Sequence, residues 1–504
     1  MSEISAKDRS GYRNSFGSTL LFSGVQIYQI LIRVVRSKFV AMLIGPEGMG
    51  ITSLLHSTTD LVSSVTNMGL STSSVKTISA AYSQGDQQRI SITITVLRRL
   101  VFLTGLFGLL VCACFAPLWS QQSFGNDNYI WAFVFVSVVV LANQLNKGEL
   151  ALLQGLRHKK TLAKANVIGQ TVSLLITIPL YYFYGLKAIV WVLVLFSLMT
   201  YSISKYFTSK INIQRVHVTW MQTFHVGSEM MKLGFFLSLQ TILSHAVLYF
   251  VRNYVSQTGG IEEVGLYSAG TAIVNVYLGL IFSAIATSYF PQLAGTKTNE
   301  EMGDAVKKQA EISILMLAPI IVAFVIYIKP VIVILYSEKF LPVEEMLYWA
   351  MGATLIKAMG WALSYTLLAK AKPSYFFYNE LFAKFYTFPL AILGYKYMGL
   401  KGFGIALLLG YSIYLIQELF VVKKLFNFSY DFSIWKLFML LHLPVLVTYV
   451  IKVYASSIMA YLLGGVLFFL TIMYVLYELD KRMELFSALK TKIDKKRSGI
   501  DGKR

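Results

Sequence analysis

Two arginines, Arg33 and Arg36, stand in an apolar stretch running from Ser18 to Ile44, and with Gln26 and Gln29 they recur at steps of three and four. That spacing lines all four side chains along one helix face. In hydrocarbon an Arg costs at least ~2.5 kcal/mol even on the most lenient insertion scale, so this face must meet a polar interior. The chemistry a guanidinium offers there is anion binding, because its planar fork of N–H donors grips phosphate or carboxylate through paired, charge-assisted hydrogen bonds.

Three further apolar stretches carry polar stripes at the same spacing. Ser53, His56, Asp60, Ser63 and Asn67 form one; Ser238, Thr241, His245 and Arg252 a second; Ser268, Thr271, Asn275 and Gly279 a third. The hydroxyls are expected to hydrogen-bond across packed helices. Arg33, Arg36, Asp60 and Arg252 are expected to line a pathway, since intramembrane charge is functional by default. Arg252, near the outer end of its stretch, also has snorkelling open to it. His56 lies four residues before Asp60, a spacing that suits either proton exchange or a buried structural hydrogen bond.

Other charges lie inside apolar stretches: Lys38, Lys147, Glu149, Lys357, Glu380, Lys384 and Glu418. Glu380 and Lys384 are spaced to neutralise each other at i,i+4. Lys147 and Glu149 diverge by about 200° around a helix and cannot meet. Lys357 has no acidic neighbour on its own stretch and joins the pathway set. Cations outnumber anions among these groups, which suits a phosphate or pyrophosphate guest and disfavours a cationic drug.

The elements that must position these residues follow from composition. Of 504 residues, 56% are hydrophobic and only 14% charged, and the mean hydropathy is +0.60. A soluble chain carries about a quarter charged residues. Apolar runs of crossing length recur throughout, which predicts an all-α polytopic membrane protein of about fourteen transmembrane helices. The expected spans are 18–44, 50–74, 92–117, 128–154, 162–184, 186–206, 231–254, 262–288, 308–328, 344–368, 374–396, 401–422, 435–453 and 457–478. The polar start of the chain lacks a signal-peptide pattern, so the first span is expected to be retained.

The net charge of +20 is read as topology rather than as affinity for nucleic acid. Alternate connections hold the basic residues: Arg89, Arg98 and Arg99; Arg157, Lys159, Lys160 and Lys164; Lys205, Lys210 and Arg215; Lys297, Lys307 and Lys308; Lys370 and Lys372; Lys423 and Lys424. The positive-inside rule then puts both termini in the cytoplasm. The tail adds Lys490, Lys492, Lys495, Lys496 and Arg497, with Leu485, Leu489 and Ile493 as an apolar edge. It is expected either to lie on anionic lipid or, as such tails more often do, to stay solvated and disordered.

Enzyme signatures are absent. No GxxxxGK[ST] loop is present, the six His lack metal-ligand spacing, and Cys112 and Cys114 read as helix filling. No cofactor or metal is expected. No external connection is long enough to form a domain, which argues against a polymerase or transferase.

An internal repeat is visible. Gly50-Ile51-Thr52-Ser53 corresponds to Gly265-Leu266-Tyr267-Ser268 at an offset of 215, which also carries Asp60 onto Asn275 and Leu152-Leu153 with Arg157 onto Leu367-Leu368 with Lys372. An even number of helices per repeat predicts two parallel six-helix lobes, 1–215 and 216–428, with an appended helix pair and basic tail in 429–504. The four polar-striped helices are then the leading pairs of the two lobes.

The turn Leu43-Ile44-Gly45-Pro46-Glu47-Gly48-Met49-Gly50 resembles the LGPxGxG turn of polysaccharide exporters. Glu263-Val264-Gly265-Leu266-Tyr267, Ser337-Glu338-Lys339-Phe340, and Lys357 followed by Ala369-Lys370-Ala371 resemble Wzx-type O-antigen and enterobacterial common antigen flippases. These belong to the multidrug/oligosaccharidyl-lipid/polysaccharide exporter superfamily. The resemblance covers nearly the whole chain. It implies an inner-membrane flippase for undecaprenyl-pyrophosphate-linked oligosaccharide that works by alternating access between two lobes. Membrane lipids, a polysaccharide polymerase and chain-length machinery are the partners it implies. It places Lys232, Arg252 and Lys357 where related flippases carry basic residues, and joins them to Arg33, Arg36, Asp60, His245 and Asn275 as substrate-binding candidates, with His56 and Asp60 for ion coupling. Departures from the pattern are a longer C-terminus and the doubled Arg. A multidrug exporter of the same fold, a lipid II flippase and an integral-membrane glycan polymerase are the competing readings.

Overall fold

The computed structural model describes residues 6–214, 216–370 and 373–483, and no strand occurs among them. In lipid every backbone N–H and C=O must be satisfied internally, and a chain this apolar meets that demand with helices. The helices are α1 (Ala6–Asn67), α2 (Leu70–Ser83), α3 (Gln87–Cys114), α4 (Ala116–Phe124), α5 (Ile130–Gly155), α6 (Lys159–Tyr184), α7 (Ile189–Ser209), α8 (Trp220–Gly259), α9 (Ile261–Ala272), α10 (Gly279–Gly295), α11 (Asn299–Ile326), α12 (Ile328–Leu335), α13 (Glu344–Lys370), α14 (Pro373–Phe426), α15 (Phe432–Tyr454) and α16 (Ser457–Met483). Among the described residues, nine stretches are long and apolar enough to cross a membrane; Lys159–Ser209 and Tyr375–Phe426 each cover two expected spans, and Leu31–Asn67 covers parts of two. Helix α13 reaches crossing length but falls short of that apolarity, carrying Lys357 and several polar residues. The protein is a multi-pass membrane protein.

Several boundaries differ from expectation. The first two spans form one continuous helix, α1, broken only at Gly45, whose φ of 64° and ψ of −169° turn the chain before Pro46. Glycine enters this left-handed region without a Cβ penalty, and proline starts the next helix with an amide that needs no partner. The second span ends at Asn67, not residue 74; Met68 and Gly69 take positive φ and α2 begins anew. Arg98 and Arg99, read as connection residues, lie well inside α3. Helix α8 starts eleven residues before its expected span. At 40 residues it extends for about 60 Å, roughly twice the hydrocarbon thickness. The tail residues 485–497, Arg215 and Lys372 lie outside the described residues.

Two compact units divide the chain, Met1–Ser268 with Val333–Phe340, and Ala269–Ile332 with Leu341–Arg504. In the first unit, Leu70, Ile78, Ile94, Leu97, Leu100, Leu152 and Met230 form a core in which each is nearly or fully buried. A buried polar seam runs beside it: Thr104 donates to Gln144 Oε1 (2.9 Å), and Gln144 Nε2 donates to Thr66 Oγ1 (2.7 Å). The repeated glycines also meet here. A Cβ on Gly50 would run into the Ile261 carbonyl oxygen, and a Cβ on Gly265 into that of Pro46. The second half of α1 and α9 therefore cross backbone to backbone, as small residues permit in membrane helices.

In the second unit, α11 and α13 are the most enclosed helices, with Ile314, Leu315, Leu317, Leu347, Met351 and Met359 fully buried. Helix α14 packs on α13, while α15 and α16 pack on α11. At the end of that group Arg482 Nε donates to Glu311 (2.8 Å).

Candidate functional site

The second half of α1 carries His56 and Asp60 on one face, as their spacing required. Asp60 lies within electrostatic reach of His56, His245 and Arg252, the last two projected by α8. Arg252 is half-buried rather than snorkelling outward: its Nη1 donates to the Ser53 carbonyl (3.3 Å), while its buried Nε has no hydrogen-bond partner among the described residues. Tyr267 of α9 stands next to the same guanidinium.

Arg36 approaches from the first half of α1. Its guanidinium lies over the Phe196 ring of α7, 4.3 Å from the centroid, close to Tyr181 of α6 and within reach of His56. An aromatic face holds a desolvated cation without neutralising it. Lys147 of α5 faces His245. The first unit thus gathers Arg36, Lys147, Arg252, His56 and His245 with one carboxylate, Asp60. On the same stripe, Ser63 Oγ and Asn67 Nδ2 are buried with no hydrogen-bond partner among the described residues. Buried polar atoms in native proteins are overwhelmingly paired. A polar guest or water would supply the missing partners.

The remaining candidates fall elsewhere. Arg33 is exposed and makes no hydrogen bond or ion pair with the described residues, and Lys232 on α8 is likewise exposed. The side chains of Gln26 and Gln29 lie outside the described residues. Asn275 belongs to the second unit and is exposed within a single π-helical turn, Ile273–Tyr277. Such turns favour functional sites because they misalign one backbone step. Lys357, also in the second unit, is half-buried with its ammonium over two rings, 5.3 Å from the Phe282 centroid and 5.2 Å from that of Tyr411.

Other intramembrane charges prove partnered. Lys38 donates to the Val333 carbonyl (2.6 Å). Glu149 turns away from Lys147, as the helix geometry required, and receives Arg98 at 3.1 and 2.9 Å and Lys205 at 2.8 Å. The expected Glu380–Lys384 pair is not formed among the described residues: Glu380 accepts from Tyr414 (2.7 Å). Glu418 is fully buried and accepts from Asn379 (2.5 Å), whose own oxygen accepts from Gln417 (2.6 Å). Among the described residues, no group of three His, Cys, Asp or Glu stands close enough to share a metal ion.

Sequence reasoning missed Phe196, Tyr181 and Tyr267 around the arginines and Phe282 and Tyr411 around Lys357. An aromatic residue in an apolar helix looks like lipid-facing or core filling until a cation is seen above it. Chemically, the first-unit cluster offers guanidinium donors for a phosphate-type anion, and a carboxylate between two imidazoles able to trade a proton.

The family described as Polysaccharide biosynthesis protein matches residues 39–345. A protein of Shigella flexneri described as a candidate O-antigen transporter is 25% identical over 328 residues, 62% of this chain and 74% of that protein. Among solved structures, the lipid II flippase MurJ in an inward closed conformation superposes with a TM-score of 0.72 at 15% identity, covering 92% of this chain and 99% of that one. An inward-facing multidrug resistance MATE transporter of the MOP superfamily gives a TM-score of 0.64 at 14% identity, over 79% of this chain and 96% of that one. At such identities the two structures establish the fold alone.

Proposed function

Because this chain belongs to the polysaccharide biosynthesis protein family, as a polysaccharide flippase with a MOP-superfamily fold, we propose that it moves an undecaprenyl-pyrophosphate-linked oligosaccharide, an O-antigen unit or similar, across the bacterial inner membrane. Arg36 and Arg252 receive the pyrophosphate. The glycan follows the polar stripes while the polyprenyl tail stays in lipid. Lobes 1–215 and 216–428 alternate access, and both termini stay in the cytoplasm. His56, Asp60 and His245 exchange the coupling proton. Arg33, Lys232, Asn275 and Lys357 contact the head group along its path. Polymerase and chain-length machinery take up the product outside.

The observation that carries this reading is the under-neutralised cluster around Arg252. Its guanidinium is anchored on one backbone carbonyl, with the Nε lacking a hydrogen-bond partner among the described residues, and Asp60 is the one carboxylate among the described residues of a cluster that holds Arg36, Lys147 and Arg252. Such a cluster is costly inside a membrane unless an anion completes it. Each charge-assisted bond to a guanidinium contributes about 1.5–3 kcal/mol. Arg252→Gln at unchanged protein level should therefore weaken binding of the pyrophosphate-linked lipid roughly 10- to 100-fold and lower surface polysaccharide. Normal surface glycan with unaltered lipid affinity would exclude the role. An in-vitro elongation assay separates a polymerase from a flippase, and cell lysis on depletion would instead indicate lipid II as the cargo.

A further inference from the structure

A second basic site lies in the first unit, apart from the Arg36–Arg252 cluster. A cavity of about 540 Å³ opens between the start of α3, the end of α7 and the segment that follows, lined by Thr95, Arg98, Lys205, Thr208, Lys210 and Asn212 among others. That volume is in the range of ordinary small-ligand sites.

Its cations are organised from behind. Glu149 is 4% exposed and takes two nitrogens of the Arg98 guanidinium and the Lys205 ammonium, while the Thr208 hydroxyl donates to the Lys205 carbonyl (3.0 Å). This occupies both carboxylate oxygens but leaves donors free on its partners. Arg98 and Lys205 keep side-chain exposures of 37% and 42%, and their remaining N–H donors have no partner among the described residues. One carboxylate against two cations leaves an excess of positive charge, and Lys210 adds another. Lys210 is steadied over the Tyr206 ring, 4.2 Å from its centroid. Thr95 and Asn212 supply neutral polar groups at the same mouth. If the three charges served only to hold α3, α5 and α7 together, a one-to-one pair would suffice and Lys210 would face water.

We infer that this cavity binds a phosphate group, preorganised by Glu149 and gripped by Arg98, Lys205 and Lys210. It stands at the helix ends that carry the basic connections, where the headgroups of anionic lipids concentrate. A phosphodiester headgroup and a free pyrophosphate share the required chemistry.

The test uses the purified full-length protein. Native mass spectrometry counts retained phosphatidylglycerol against phosphatidylcholine, and pyrophosphate is titrated as a competitor. Wild type should retain phosphatidylglycerol preferentially. Lys210→Gln, an exposed change, should weaken retention about fivefold. The charge-balanced triple variant Arg98→Gln, Glu149→Gln, Lys205→Gln, which leaves no buried charge unpaired, should abolish the preference. Retention that pyrophosphate cannot displace assigns the site to a lipid headgroup; pyrophosphate binding that is lost in Lys210→Gln assigns it to a free phosphate. Equal retention of both lipids with no pyrophosphate binding, or a preference untouched by Lys210→Gln, overturns the inference. Neither readout depends on transport, so failure here leaves the proposed flippase role standing.

Discussion

The two units treat charge inside the membrane in opposite ways. In the first, Arg36, Lys147 and Arg252 gather around a single carboxylate among the described residues, where Ser63 Oγ, Asn67 Nδ2 and Arg252 Nε also find no hydrogen-bond partner. In the second, the carboxylates Glu380 and Glu418 accept from Tyr414 and Asn379, although Glu418 Oε2 is buried with no hydrogen-bond partner among the described residues, and the cation Lys357 rests over aromatic rings. A group of cations facing one carboxylate is costly in a membrane unless an anion completes it, whereas carboxylates given hydrogen-bond donors are partly compensated in place. We propose from this contrast that the first unit is the stronger anion receiver and that the acidic group of the second serves as scaffold.

The sharpest way to break that contrast is to exchange roles. Replacing Arg36 and Arg252 together by Gln should cost more than either change alone, with at least a 100-fold loss in binding of the pyrophosphate-linked lipid measured on purified protein. An effect no larger than that of Lys357→Gln would erase the distinction. Lys357→Gln itself removes one cation held only by ring faces and should weaken binding about fivefold. Arg33→Ala should lower surface polysaccharide, but less than Arg36→Gln at equal protein level, because Arg33 is exposed and unpartnered.

Smaller effects test the scaffold reading. Glu418→Gln keeps an acceptor for Asn379 and removes a buried acid, so thermal stability should stay level or rise with transport intact. Loss of transport at full stability would move function into the second unit. At the edge of that unit Asp431 caps α15 through Ile434 N (3.2 Å) and pairs with Lys307. The Lys307 hydrogen bond holds its carboxyl below the ordinary range. Stability from this pair is therefore present above the unfolded carboxyl pKa of about 3.9 and is lost as pH falls through the lower folded value. Asp431→Ala should cost about 1 kcal/mol from the lost cap, measured by thermal unfolding at pH 7, and the difference from wild type should shrink in acid.

Much of this was legible in the chain itself. The His56–Asp60 stripe and the divergence of Lys147 and Glu149 follow from 3.6 residues per turn, which every helix obeys whatever its neighbours. The repeated Gly50 and Gly265 were readable as a pattern, but their reason, two backbones in contact, was not. Glu380 shows where local spacing fails: Lys384 sits at the favoured i,i+4 distance, yet Tyr414 from the other half of α14 takes the carboxylate. An exposed i,i+4 pair is worth only a few tenths of a kcal/mol, so a hydroxyl delivered by tertiary packing outcompetes it.

The sequence alone determined the helical membrane class, the faces on which charges lie and the excess of cations, because these depend on composition and helical period. Tertiary structure decided which charges meet. It drew Arg36 rather than Arg33 over Phe196 and onto the His56 side, turned Arg252 inward to Ser53, and gave Glu149 two cations from separate helices. Those choices depend on contacts between helices far apart in the chain, and no local period encodes them.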